Sequence, residues 1–292
     1  MTYKSNFLRG ITMRFFGWLP DPIYLRLIYL FIIGKPLSLK NPRTFNEKIQ
    51  WLKIHDRNPR HTDMVDKLAV KDIVTKIAGS EYVIPTMKVY NSVEEIDLNE
   101  LPEAFVLKTT HGGGSGGVVV CKDKNKLDIQ TAKAKLLKSL HSKDSRYREW
   151  PYSNVPRKIL VEKYMEDENG ELRDYKFFCM NGEPKFLFMA SGRMKEDALT
   201  FDFLDMDYKW LPVRNGHPNS KTPPQKPQNF DKMIELARKL SQGEAFVRVD
   251  LYNIRGKIYF GEYTFFHFSG LTPFEPEEWD EKFGDMIELP NS

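Results

Sequence analysis

Ala104-Phe-Val-Leu-Lys108-Thr-Thr-His111-Gly-Gly-Gly-Ser-Gly-Gly117-Val-Val-Val-Cys121 reads as a strand, a glycine loop and a second strand. Gly112, Gly114 and Gly117 satisfy the spacing G-x-G-x-x-G, but dinucleotide binding requires a helix to open directly behind that loop. Here Val118 to Val120 continue as strand. With Val119 added, the letters also satisfy the protein-kinase loop, yet neither H-R-D nor D-F-G occurs in the chain. The Walker spacing is absent as well. What stays is a loop whose backbone N–H groups can approach phosphate oxygens, with Lys108 ahead of it as a point charge. A solvated surface hairpin is the plain alternative.

A second constellation lies in Val247-Arg248-Val249-Asp250-Leu251 and Phe260-Gly261-Glu262-Tyr263-Thr264. Strand alternation places Arg248 and Asp250 on one face and Val247, Val249 and Leu251 on the other. Charged groups in so apolar a strand need partners. Whether Glu262 joins them depends on parity: an odd turn brings it to the Arg248/Asp250 face, an even one sends it across unless a bulge adds a residue. If it joins, two carboxylates and an arginine form a hard-oxygen magnesium site. A structural Arg–Asp pair with Glu262 in solvent is the simpler alternative.

Between these landmarks, Asn46 to Ile54 and Asp66 to Ala78 show helical spacing, the latter stopped at Gly79. Tyr82 to Val89 is strand-like, and its Pro85 marks an edge. Asp128 can cap a helix through Leu140. Asp174 to Met189 is a hairpin turning at Asn181-Gly182. Val213 to Phe230, rich in Pro, Asn and Gln, reads as a long loop or lid, followed by a helix to Leu240. The class is α+β with antiparallel hairpins prominent.

The 292 residues suffice for a large core, and 41% hydrophobic with 29% charged residues is ordinary for a globular chain. A formal charge of +4 against 44 basic and 40 acidic residues, with no long basic run, implies no nucleic-acid partner. Cys121 and Cys179 support neither a disulfide framework nor a zinc site and fit a reduced, cytoplasmic protein. No secretory signal is visible. Tyr24 to Ile33 is apolar but interrupted by Arg26 and too short to cross a bilayer. With Phe15, Phe16, Trp18 and Leu19 before it, this region lies on a membrane or a partner, or packs as a helix on the main body.

In order, Asp66-Lys67, the strand Val106-Leu107-Lys108 with its glycine loop, Val161-Glu162-Lys163-Tyr164-Met165 and the Asp250/Glu262 pair resemble the ATP-grasp superfamily. Asn41-Pro-Arg-Thr-Phe-Asn-Glu-Lys48, Leu107-Lys-Thr-Thr-His-Gly112, Asp174-Tyr-Lys-Phe-Phe178 and Trp279-Asp-Glu-Lys-Phe-Gly284 look like its TupA-like, teichuronopeptide-biosynthesis branch. The resemblance runs from about residue 40 to the C-terminus. It implies an ATP-grasp fold, two α+β subdomains clasping ATP. The chain would divide into a helical N-terminal extension, 1–60, and an ATP-grasp domain, 61–292, with a lid subdomain at about 104–165 and a metal-binding catalytic subdomain at about 166–292.

Carried over, the resemblance makes Lys67 and Lys108 the phosphate lysines, and His111, Gly112, Gly113, Gly114, Ser115, Gly116 and Gly117 the loop over the phosphates. Glu162, Lys163 and Met165 line the adenine; Asp174 and Lys176 face the ribose and phosphates. Arg193 meets the γ-phosphate or acyl phosphate, and Arg248 neutralises the oxyanion. Asp250, Glu262 and Thr264 hold magnesium, although many members carry asparagine where Thr264 stands. His267 and Ser269 follow, either substrate-facing or packed. The implied activity is an ATP- and magnesium-dependent carboxylate–amine ligase acting through an acyl phosphate. It would join an amino acid to a uronic-acid carboxyl of an acidic glycan in cell-surface polysaccharide formation. Two other classes stay open: a glycosyltransferase-like protein using Asp205-Met-Asp207, and a non-catalytic nucleotide-binding protein.

Overall fold

The computed structural model describes residues 16–112, 116–142, 147–167, 170, 172–192 and 199–290. Helix α1 (Asp21–Ile33) starts behind Pro20 with Pro22 in its first turn, where a missing N–H costs nothing, and stops at Gly34 with φ 80°. Helix α2 (Phe45–His55) opens on a reciprocal capping box between Thr44 and Glu47. Helices α3 (Arg60–Val65) and α4 (Ala69–Ala78) follow. The helix expected from Asp66 starts three residues later. Asp66 is extended there, and its carboxylate accepts the Leu68 N–H at 2.8 Å, so Lys67 lies in the connection. The Lys67 N–H then donates to the Thr110 carbonyl at 3.0 Å.

The smaller sheet contains β1 (Thr86–Tyr90), β2 (Phe105–Thr109), β3 (Val118–Cys121) and β4 (Ile159–Lys163), ordered β1-β4-β2-β3 and antiparallel. Pro85 sits directly before the edge strand β1. Helix α5 (Ile129–Leu140), capped by Asp128, covers one face through Ala132 and Leu136 against Phe105, Leu107, Val119 and Cys121. Val106, Lys108, Val118, Val120 and Glu162 share the other face by register. Apolar residues therefore line both faces of β3, because only one of them is used for packing.

The larger sheet is built from β5 (Asp174–Met180), β6 (Glu183–Ser191), β7 (Thr200–Asp205), β9 (Phe246–Ile254) and β10 (Lys257–Thr264), ordered β10-β9-β5-β6-β7. A two-stranded ribbon joins β8 (Arg214–Asn215) to β11 (Phe274–Glu275). Helix α6 (Phe230–Leu240) packs on the face of Phe177, Val247 and Val249, and helix α7 (Glu278–Asp285) closes the chain. The N-terminal helices do not stand apart, because Tyr24, Leu25, Ile28, Phe45 and Ile49 join the core of this larger body.

Two of the motifs that carry the resemblance fasten the ends of the domain together. The Asn46 N–H and its amide both donate to Asp280 at 2.9 Å. Gly284 passes so close that a Cβ would sit 2.2 Å from the Arg43 carbonyl oxygen. Apart from the short strand β8, the segment read as a loop or lid is a loop, and it is pinned along the edge strand β7. Asn219 donates to the carbonyls of Phe201 and Val213 at 2.8 and 2.9 Å, and the Ser220 N–H to Asp202 at 2.9 Å. Asp205-Met-Asp207 is a turn in which the Asp205 carboxylate accepts the N–H groups of Asp207 and Lys209 at 3.0 and 2.7 Å.

The β9/β10 turn has two residues, Arg255 and Gly256, with φ of 51° and 82°. That count is even, so of the two routes to a shared face the odd turn is not the one taken. An uninterrupted ladder would pair Asp250 with Gly261 and turn Glu262 toward Val249. Instead Phe260 pairs with Leu251 and Glu262 with Asp250, leaving Gly261 as an extra, bulged residue. The bulge restores the parity. Its tight packing explains the glycine: a Cβ at position 261 would lie 3.1 Å from the Asp250 carbonyl oxygen and 3.2 Å from the Tyr252 ring.

Candidate active site

A cavity of about 180 Å³ opens between the two sheets. Ile84, Val106, Val118 and Val120 wall it on the small-sheet side, and Leu172, Ala190 and Tyr252 on the other. The connection Glu162-Lys163-Tyr164-Met165 closes one end. Flat apolar walls beside exposed backbone of a connecting strand suit a heteroaromatic ring. They also account for the exposure of Val120.

Deeper in, lysines gather around one carboxylate. Glu162 is buried, with Lys108 Nζ 2.6 Å from one oxygen and Lys71 Nζ 2.5 Å from the other. Burial alone would push its carboxyl up; Lys108 and Lys71 outweigh that and hold it below the usual range. Lys71 also donates to the Ile84 carbonyl at 2.7 Å. Lys67 donates to the Gly112 carbonyl at 2.6 Å, at the start of the glycine loop. Burial lowers the Lys67 ammonium, and Glu262 pulls it back up across the cleft.

On the larger sheet, Lys176, Asp250 and Glu262 stand in one row across β5, β9 and β10. Asp250 is fully buried. Its oxygens take Arg248 Nε and Nη2 at 2.7 and 2.8 Å, and Lys176 reaches the second oxygen too. Lys176 also meets Asp174 at 2.7 Å. The Glu262 side chain is 33% exposed, with Arg248 at 3.8 Å as its nearest ion-pair partner. Burial would raise the Glu262 carboxyl, but Lys176, Lys67 and Arg248 together hold it below its ordinary value.

Arg248 is braced from behind. Its Nη1 donates to His267 Nδ1 at 2.8 Å, and His267 Nε2 donates to the Asn215 side-chain oxygen at 2.9 Å. The Asn215 amide nitrogen is committed to the Thr272 and Pro273 carbonyls, which fixes the imidazole tautomer. Burial, with Arg248 and Lys176 alongside, drops His267 well below its ordinary value, so it is a neutral positioning group. Thr264 accepts a further hydrogen bond, from Arg248 Nη2, at 2.9 Å. Ser269 contacts Glu149 and Lys53, not the cleft.

The structure thus gathers Lys67, Lys108, Gly112, Glu162, Lys163, Met165, Asp174, Lys176, Arg248, Asp250, Glu262 and Thr264 around the two sides of one cleft. His111 is an exception. It donates to the Ser139 carbonyl of α5 at 3.0 Å, on the side of the small sheet away from the cavity. Gly117 serves the same packing, since a Cβ there would meet Thr109 Oγ1 at 2.1 Å. Gly116 has open space around its α-carbon. Gly113, Gly114, Ser115 and Arg193 lie outside the described residues.

Sequence reasoning missed Lys71, one turn beyond Lys67, whose spacing from Asp66-Lys67 was the available signal. It also missed Tyr164 and Tyr252 in the cavity wall, Asn215 behind His267, and Tyr152. Burial, then Glu149 and Glu262, push the Tyr152 phenol far up, so its hydroxyl keeps its proton.

A profile of the family described as TupA-like ATP-grasp matches residues 47–288. Similar solved structures include D-alanine–D-alanine ligase from Helicobacter pylori, at 13% identity over 84% of this chain and 69% of that one, with a TM-score of 0.44. The same enzyme from Bacillus anthracis gives 16%, 69%, 56% and 0.38. N5-carboxyaminoimidazole ribonucleotide synthetase in its ADP complex gives 20%, 75%, 50% and 0.42. The chain therefore spans about half to two thirds of the length of these proteins. No curated protein matches it.

Proposed function

Because the chain belongs to the TupA-like ATP-grasp family, we propose that it is an ATP-dependent carboxylate–amine ligase working through an acyl phosphate. The observation that carries this is the Lys176–Asp250–Glu262 row with Arg248, set opposite the Lys67–Lys71–Lys108 group. One side offers cations to a polyphosphate; the other offers carboxylates and a fixed guanidinium to the group being transferred. The base would enter the apolar cavity, and the glycine loop would lie over the phosphates.

Asp250 and Glu262 are hard oxygen donors opposed across two strands, and a divalent cation between them would take the place of the Lys176 ammonium on Asp250. The Lys176 ammonium already placed between Asp174 and Asp250 marks the position as one that attracts positive charge. Magnesium held there would offset charge on the transferring phosphoryl group. Arg248, fixed by Asp250 and His267, is preorganised to meet an oxyanion without reorienting. Glu162 keeps Lys71 and Lys108 at fixed positions until a phosphate replaces its charge.

An acidic glycan bearing a uronic-acid carboxyl is the acceptor we propose, with an amino acid supplying the amine, on the cytoplasmic side where ATP is available. The Asp205-Met-Asp207 turn argues against the glycosyltransferase alternative, since its first carboxylate is spent on backbone N–H groups. Incubation with ATP, magnesium, mixed amino acids and a uronic-acid oligosaccharide should release ADP and phosphate and yield an amide. Consumption of a nucleotide-sugar instead, or no ATP turnover with any carboxylate, would refute the proposal.

A further inference from the structure

Helix α1 is apolar on both faces. Tyr24, Leu25, Ile28 and Tyr29 point into the core, while Ile23, Leu27, Leu30 and Phe31 line the outer side with Arg26. Ile23, Leu30 and Phe31 are 48, 45 and 50% exposed, and Trp18 just ahead of the helix is 79% exposed. A helix apolar all round belongs in a core or against lipid, and here the protein covers only one side. At 13 residues, about 20 Å, it cannot span a bilayer. No helix among the described residues is long and apolar enough to do so.

Charge identifies what covers the outer side. The first 35 residues hold five basic residues (Lys4, Arg9, Arg14, Arg26, Lys35) against one acid, Asp21. They account for the whole +4 of the chain, and the remaining body is balanced. Asp21 is itself neutralised, by Arg57 at 2.7 Å and Arg148 at 3.2 Å. Lys35 is paired with Glu277, but an apolar helix face that carries the exposed Arg26, beside an exposed tryptophan and in a segment of net positive charge, complements an anionic lipid surface. The helix lies ahead of residue 47, where the family match begins.

We propose that α1, with Phe16 and Trp18, lies flat in the interface of an anionic bilayer and docks the enzyme there. This goes beyond the ligase reading and does not rest on it. The docked element is tied to the catalytic face by a short segment. Arg148 donates to the carbonyls of Gly17 and Leu19 at 2.7 and 3.0 Å and lies over the Tyr24 ring. Its neighbour Glu149 accepts from Ser269, two residues beyond the His267 that braces Arg248. The helix thereby fixes which side of the cleft is held next to the membrane.

The test is sedimentation of the full chain with vesicles of phosphatidylcholine alone or with about a third phosphatidylglycerol. The chain should bind the anionic vesicles, less so at high salt and much less on neutral ones. The triple variant Trp18→Ser, Leu30→Gln, Phe31→Gln should bind about tenfold or more weakly while melting at the parental temperature, because these side chains leave no core. Arg26→Glu should weaken binding in the same direction. No binding by the parental chain, or equal binding by the triple variant, overturns the proposal. A parental dimer that becomes monomeric in the triple variant, without lipid binding, would overturn it in favour of a second copy covering the face.

Discussion

Replacing Asp250 by asparagine should separate stability from chemistry in a way that Glu262→Gln does not. Asp250 is fully buried and takes two hydrogen bonds from Arg248 and one from Lys176. Neutralising it leaves a guanidinium and an ammonium in the interior, with Asp174 beside Lys176 and the partly exposed Glu262 3.8 Å from Arg248 as the remaining carboxylates. Removing one partner of such a buried cluster costs about 3–5 kcal/mol. For a domain of this size that lowers the melting temperature by on the order of 10 °C. The Glu262 side chain is 33% exposed and its nearest cation is 3.8 Å away. Solvent screening holds its loss to under about 1 kcal/mol. Both variants should lose turnover by about a hundredfold or more, since each removes charge from the transferring centre. Urea titration and ADP release, measured on the same preparations, check both halves. Equal stability losses, or turnover that survives in either variant, would refute the assignment of Asp250 as anchor and Glu262 as open ligand.

Lys71→Ala should weaken ATP binding about tenfold, because Glu162 would then draw Lys108 away from the phosphates; isothermal titration showing parental affinity would remove Lys71 from the site. His267→Phe should lower turnover about tenfold with KM for ATP unchanged, since only the Arg248 brace is lost. Parental turnover should show no inflection from this imidazole near its ordinary value, and one abolished in His267→Phe would contradict a permanently neutral His267. Lys53 is fully buried, and burial lowers its ammonium from 10.5 to about 8. Between those values the unfolded chain holds more protons than the folded one, so the Lys53 contribution to stability rises with pH. Parental stability measured against Lys53→Met should climb across that window, and a flat difference would be inconsistent with a depressed Lys53.

The sequence by itself determined what local chemistry governs. Asn181-Gly182 forms a two-residue turn with both φ positive, and Asp128 caps its helix through the N–H groups of Gln130 and Thr131. Strand behind the glycine loop excluded the dinucleotide reading, and the order of motifs named the family whose profile spans residues 47–288. Alternation alone put Arg248 beside Asp250. The tertiary structure decided the rest, because those outcomes depend on partners distant in the chain. Whether Glu262 faces Asp250 was a matter of one residue's parity, settled by a bulge at Gly261 that only the packed Tyr252 ring and the ladder reveal. The link from Lys71 to Glu162 crosses ninety-one positions of sequence, and the brace from His267 to Asn215 crosses fifty-two. His111, next to the glycines in sequence, is carried to the far side of the sheet by the Ser139 carbonyl. Composition showed that the α1 stretch was apolar, but which of its two apolar faces the core would leave uncovered followed only from how the body packed against it.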